Sequence, residues 1–513
     1  MESLKLPSRQ SDARSARPRA QPLKEASGLV IALTLLAISS GLSYSSAQSE
    51  PQAWSAPLNL FETTGRASEP EVVADPSGTL HVFWAYGAPG EEDSGAHQAI
   101  YHVSQTDGSW SQPVDVLTSP GGRVARMHSV LADEEGYLHI VWSGGNTIYH
   151  SRVYALEASS VRAWRAPTAL VSGVTVLEPD IAVDGQGGLY IVWTQARAGL
   201  MFTRSDDGGT TWSQPRVAFP SATDTDLARW GRIAVDDASR LHLVLTHAVR
   251  DPNVSAGSEN PNFLYYLRSE DQGETWSEPF QIVDSPDFGE VNVVAFGRDE
   301  IHLAWNGRAG RKGRYHRWST NGGKTWSAID EIAGPEDRAG SAGLTGFPVV
   351  LTDSAGATHI IFNGGQIYSS SWLDGTWSNP LLISGDVDGC GVTREHCQME
   401  DFSATLSAGN QLHAVFHDGL ERIWYVTRQV DAPPREPRSL PTAKPDTVLA
   451  AMSTAAPART ATPSTSSRPD LARTPGTQES AQTPLWPVAI GAASALTIVA
   501  VAILLNQGRA RGR

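Results

Sequence analysis

Carboxylates dominate the positions of this chain that could do chemistry. Glu69, Glu178, Glu290 and Asp401 share one equivalent place in a repeated pattern with Met127, Trp230 and Phe347. Two residues on stand Glu71, Asp180 and Arg232, with Ser129, Asn292, Val349 and Ser403 in the other copies. If the copies are arranged in a ring, strand alternation turns both levels the same way, and six carboxylates converge with one arginine and one tryptophan. Such a ring could hold a cation. It could also bind a polyhydroxylated sugar through acceptor oxygens with Trp230 as a stacking platform, or supply the paired acids of a glycosidase. The same acids could instead be solvated groups capping strand ends. Crowding of like charges would raise some of their pKa values.

The repeat that aligns them has two columns. One reads Leu80-His81-Val82, Leu138-His139-Ile140, Leu189-Tyr190-Ile191, Leu241-His242-Leu243, Ile301-His302-Leu303, Thr358-His359-Ile360 and Leu412-His413-Ala414. The other is W-S-x-P or a near variant, beginning at Trp54, Trp110, Trp164, Trp212, Trp276, Trp326 and Trp377. Each copy gives an apolar strand ending in a D-x-x-G-like turn, then strands of the LHIVW and AIYHVS kind, then a strand opening at W-S-x-P. Four strands in about 55 residues is the period of a propeller blade, so the pattern predicts an all-β, seven-bladed β-propeller. The first W-S-x-P precedes every His column and the last His column lacks one. An N-terminal strand within 53–60 is therefore predicted to close the last blade, satisfying an edge on each side.

Three segments carry a more specific signal: SDDGGTTW (205–212), SEDQGETW (269–276) and STNGGKTW (319–326). They resemble the Asp-box of bacterial neuraminidase repeats, found in sialidases and other exported propellers. SQTDGSW (104–110) and SWLDGTW (371–377) look like versions one residue shorter. The resemblance implies structural turns on the face away from a binding pocket, built by Ser205, Asp207, Gly209 and Trp212, by Ser269, Asp271, Gly273 and Trp276, and by Ser319, Asn321, Gly323 and Trp326. The Asp accepts local N–H groups, the glycine supplies unusual φ and the tryptophan packs between sheets. Sialidases also share a first-blade F/Y-R-I/V-P motif. Here Ala67 to Val72 contains Pro70 with no arginine before it, and the nearest partial match is Trp230-Gly231-Arg232-Ile233 in the fourth copy. No arginine triad or nucleophile can be assigned residue by residue.

Other chemistry-bearing residues read as structural. Equivalent histidines on different blades stand on the order of 10 Å or more apart, against the roughly 2 Å that zinc ligation needs, and no metal site or cofactor is expected. Trp84, Trp142, Trp193 and Trp305, three residues beyond the His column, read as core between blades. Cys390 and Cys397 bracket GVTREH in an acidic loop and are expected to pair as a disulfide if the chain is exported.

The two ends set the expected location. A basic leader, the apolar run from Gly28 to Leu42 and Ser45-Ser46-Ala47 read as a signal peptide over 1–47, with an uncleaved N-terminal anchor as the other reading. Residues 431–483, dense in Pro, Ser, Thr and Ala, read as a disordered stalk. An uncharged run within 484–506 is long enough for a transmembrane helix, and 507–513 is a basic tail on the cytoplasmic side. The propeller, 48–430, would then be extracellular on a single-pass type I chain in the cell membrane. Its net charge of about −22 argues against a nucleic-acid partner. The expected function is surface recognition of an extracellular glycan or protein ligand at the channel mouth without turnover; an exo-acting, sialidase-type glycoside hydrolase is the alternative.

Overall fold

The computed structural model describes residues 53–443 except 88–98, 121–125, 222–225, 250–261, 284–288, 308–312, 335–345, 365, 374, 386–400 and 419–421. The expected signal peptide, transmembrane helix and tail, the stalk from 444 on, and both cysteines lie outside the described residues. No helix among the described residues is long and apolar enough to cross a membrane.

Seven antiparallel sheets follow one another along the chain. Blade 1 comprises Arg66–Ala74, Leu80–Gly87, Ala99–Thr106 and Val114–Thr118, and blade 2 Arg126–Ala132, Tyr137–Ser143, Thr147–Tyr154 and Thr168–Ser172. Blade 3 is Val176–Val183, Leu189–Gln195, Gly199–Ser205 and Arg216–Pro220; blade 4 is Asp226–Val235, Leu241–Val249, Asn262–Ser269 and Phe280–Gln281. Blade 5 holds Val291–Phe296, Glu300–Gly307, Gly313–Ser319 and Asp330–Ile332, and blade 6 Val349–Thr352, Thr358–Asn363, Ile367–Leu373 and Leu381–Leu382. Blade 7 takes Phe402–Ser407, Gln411–His417 and Arg422–Gln429, and its fourth strand is Leu58–Glu62. That N-terminal strand runs antiparallel to Arg422–Gln429, from Leu58 opposite Tyr425 to Glu62 opposite Arg422. First strands touch first strands all the way round, and blade 7 meets blade 1. The ring is closed with the first strands at its axis.

The W-S-x-P column has a hydrogen-bonding reason. The N–H after each tryptophan donates to the third strand, as Ser213 does to the Arg204 carbonyl at 2.8 Å and Ser277 to that of Arg268 at 2.8 Å. The serine hydroxyl takes the return bond, from Arg204 N at 3.1 Å and Arg268 N at 3.1 Å. A side chain thus replaces the carbonyl that a bending strand would withdraw. Each tryptophan then faces the preceding blade: Trp212 packs on His150, Trp276 on Phe202, Trp326 on Tyr266 and Trp377 on His316.

The His column is buried and fully occupied within each blade. Asp75, at the first turn, accepts N–H groups from Ser77 and Thr79 and bonds His81, which bonds His102 on the third strand. The same chain runs Asp133–His139–His150, Asp236–His242–Tyr266, Glu300–His302–His316, Asp353–His359–Ser371 and Ser407–His413–Tyr425. In blade 3, Tyr190 reaches Asp184 directly at 2.8 Å and the third position is the apolar Phe202.

Asp-box turns fasten blade to blade. Asp207 accepts the N–H of Thr210 and Thr211, and Ser205 Oγ accepts that of Gly209. Asp271 and Asn321 repeat this at Thr275 and Thr325. Gly209, Gly273 and Gly323 have φ of 80, 85 and 76°, and a β-carbon on Gly323 would lie 1.8 Å from the Tyr266 hydroxyl of the preceding blade. Arginines of that preceding blade grip the turn carbonyls: Arg152 that of Gly208, Arg204 that of Gln272 at 3.5 Å and Arg268 that of Gly322 at 3.3 Å. On the same face run residues 431–443, which composition assigns to the stalk; they lie against the blades in an extended path. Proline excludes helix but does not prevent docking.

Two outcomes are expected. Deleting residues 48–62 leaves the Arg422–Gln429 edge unpaired and opens the ring, so the single cooperative melt of the propeller is lost rather than slightly shifted; calorimetry reads this directly. The second concerns acid. Burial drives His102, His139, His150 and His242 below the ordinary histidine value, His316 to about 2 and His413 to about 4. Burial opposes ionisation of Asp75, Asp133 and Asp353, but histidine and turn hydrogen bonds outweigh it and hold them below the ordinary carboxylate value. Unfolding lets the histidines take up protons, so their contribution to stability is full above about pH 6.5 and falls as pH drops below it, the lowered carboxylates adding to the loss below about pH 4. Melting temperature measured from about pH 8 to pH 4 follows that course.

Candidate functional site

The first strands do not run straight into the channel mouth. In blade 1 the pairing jumps from Ser68 opposite Ala85 to Glu71 opposite Phe83; in blade 3 from Leu177 opposite Thr194 to Asp180 opposite Val192; in blade 4 from Arg229 opposite Thr246 to Arg232 opposite Val244. Each jump sets two residues against one. The extra residue sits in the left-handed region, with φ of 54° at Glu69, 55° at Glu178 and 56° at Trp230. This is a β-bulge repeated in three blades, at about 1–3 kcal/mol of backbone strain per site. It overturns the alternation argument for a shared facing, because a bulge breaks the period of two.

Much of the acidic level joins blades together. Glu178, 6 % exposed, accepts the N–H of Trp230 at 3.1 Å and bonds of 3.3 Å from Thr194 and 3.2 Å from Arg229. Asp180 accepts the N–H of Ile233 at 2.8 Å and a bond from Ser129, beside the charge of Arg232; burial nevertheless raises its pKa. Where blade 7 meets blade 1, Ser403 of blade 7 donates to Glu71 at 2.7 Å and accepts from Val72 N at 3.3 Å. Glu290 is buried in blade 5, its carbonyl receiving Asn306 N. Glu69 and Asp401 are half-buried, and Asp401 lies 3.2 Å from His417 Nε2.

The groups that do come together are Glu71, Asp180, Asp401 and Arg232, the last three acting electrostatically on Glu71 and Arg232 also on Asp180. Burial pushes Glu71 up to about 7; the Ser403 bond and Arg232 oppose the rise, while Asp180 and Asp401 add to it. Beside them lies an aromatic and cationic stack that the sequence only half shows. Arg229 lies 3.9 Å over the Trp230 ring and Arg232 lies 3.8 Å over the Phe347 ring. Trp230 and Phe347 meet edge to face, with centroids 6.3 Å apart. One face of Trp230 is therefore covered by a guanidinium, which corrects its reading as a bare stacking platform. Arg229, Phe347, Ser403 and His417 were missing from the set of site residues. Phe347 occupies the shared level and was discoverable there; Arg229 joins the site only because of the bulge.

Seven sheets in a ring, five of four strands and two of five, with Asp-box turns on one face and a mixed-charge, aromatic mouth on the other, define a seven-bladed propeller. Residues 41–252 match the BNR repeat-like domain, so over that stretch the chain is similar to BNR-repeat propellers. None of the curated proteins matches the sequence. Similar solved structures include a PL25 ulvan lyase, 14 % identical with a TM-score of 0.49, over 74 % of this chain and 97 % of the lyase. They also include the NanB sialidase of Streptococcus pneumoniae, 12 % identical with a TM-score of 0.41, over 73 % and 71 % of the two chains. An α-L-arabinofuranosidase of Fusarium graminearum is 14 % identical with a TM-score of 0.43, over 62 % and 97 %.

Titration of Glu71 tests the geometry. Its midpoint, read by carboxyl NMR, lies near 7 and moves higher in both Ser403→Ala and Arg232→Ala, since each removes an influence that lowers it. A carboxylate raised from 4.5 to about 7 makes its full contribution to the fold below about pH 4.5 and loses it as pH rises from there through about 7, so Glu71→Gln gains stability relative to the wild type across that window and keeps a constant margin above it.

Proposed function

We propose that this propeller recognises an extracellular glycan at its channel mouth and holds it without turning it over. The observation that carries the reading is the pairing at the mouth of two aromatic rings with several carboxylates, an arrangement that suits stacking on sugar faces and acceptance from hydroxyl groups. Charge narrows the ligand class. Both arginines of the mouth are engaged, Arg229 by Glu178 and the Trp230 ring, Arg232 by the Phe347 ring and the charges of Glu71 and Asp180. Carboxylates outnumber them, so neutral or amine-bearing sugars are favoured over sialic and uronic acids. The leader of 1–47 and the apolar run within 484–506 support export and anchoring in the cell membrane, with the propeller outside.

A second reading, an exo-acting glycoside hydrolase, is favoured by one observation. Glu71, raised by burial to about 7 beside Asp180 and Asp401, has the acidity of a general acid at neutral pH. An array of neutral, amine-bearing and acidic glycans, with fluorogenic glycosides assayed in parallel, separates the two readings. The proposal expects binding to neutral or amine-bearing glycans, weakened about tenfold or more by Trp230→Ala, and no turnover. Turnover abolished by Glu71→Gln establishes the hydrolase instead, and preference for sialosides overturns the charge argument.

A further inference from the structure

Covalent continuity runs around the ring with a single break, inside blade 7, where Leu58–Glu62 meets Arg422–Gln429 by strand pairing alone. From that break the chain continues as residues 430–443 along the Asp-box face. Ala432 receives a bond from Asn410 of blade 7 at 3.1 Å, and Pro433 one from the Ser354 hydroxyl of blade 6. Arg435 N donates to Ala408 of blade 7 at 2.7 Å, and Arg438 N to Pro76 of blade 1 at 2.8 Å. Arg438 also pairs with Glu134 of blade 2, and Tyr154 of blade 2 donates to the Pro441 carbonyl. Leu440 packs on the blade 2 core over Gly136, where a β-carbon would come within 2.9 Å of it. Prolines 433, 434, 437 and 441 hold the segment extended and remove N–H groups that would find no partner, leaving those of Arg435 and Arg438 to bond the turns.

We propose that residues 431–443 are a strap that locks the propeller shut, tying the third strand of blade 7 to blades 1 and 2 across the break and thereby holding Ser403 of blade 7 against Glu71 at the mouth. The ring is fastened twice, at its rim by the N-terminal strand and on its Asp-box face by the strap. Because the strap is the start of everything C-terminal to the propeller, disturbance of that chain bears on the mouth through this lock.

Hydrogen exchange of the full-length chain tests it. Leu440→Asp removes the apolar foot of the strap. Exchange is expected to quicken by about tenfold or more in 58–62, 66–74, 402–407 and 422–429, and to stay unchanged in blade 4 at 241–249 and 262–269. Leu440→Ala gives the same regional pattern at smaller amplitude, so the idea remains testable if the aspartate variant does not fold. Equal acceleration in all blades, or none near the break, overturns the lock.

Discussion

The interaction on which the propeller depends is the bonding of buried polar groups to one another inside each blade. An Asp or its substitute at the first turn, a His on the second strand and a His, Tyr or Ser on the third form a closed chain, and the next blade sets a tryptophan against the last member in blades 2, 4 and 5. Leaving one member unpaired would cost about 1–3 kcal/mol. The motif is nearly but not wholly satisfied: in blade 5 the Nδ1 of His316 is buried without a partner. Blade 3 varies the motif: Tyr190 satisfies Asp184 with its single hydroxyl, so an apolar Phe202 can follow. The chain also connects turn, strands and neighbouring blade, and so sets the spacing of the D-x-x-G, L-H-V and W-S-x-P columns.

The fold was legible because this bonding leaves residue types at fixed intervals. Seven His-column segments and seven tryptophan segments gave the number of blades, and the orphan W-S-x-P at Trp54 gave the closure realised by Leu58–Glu62. The mouth was legible only as a level. Glu69, Glu178 and Trp230 do stand in register, but their left-handed backbone cannot be read from side chains that do not demand it, and an extra residue reverses the facing of its neighbours. Arg229 was invisible for that reason. The engagement of Glu178 and Asp180 by the backbone of blade 4 was hidden too, since a carboxylate in sequence carries no mark of whether it meets water or an amide.

The bulges bring mouth and scaffold into one network. At Trp230 the strained backbone presents an N–H that Glu178 accepts, while the same carboxylate draws Arg229 across the indole. Strain, inter-blade bonding and the surface of the mouth are thus carried by the same few residues. The aromatic pair is held in place by groups that also hold blades 3 and 4 together.

The path of residues 431–443 has a geometric corollary. Its last described residue, Ala443, departs from the rear of the wheel, beneath the turns of blade 2, whereas the axle opening with Glu71 and Trp230 looks out from the front. A visitor approaching the opening head-on meets no part of residues 431–443.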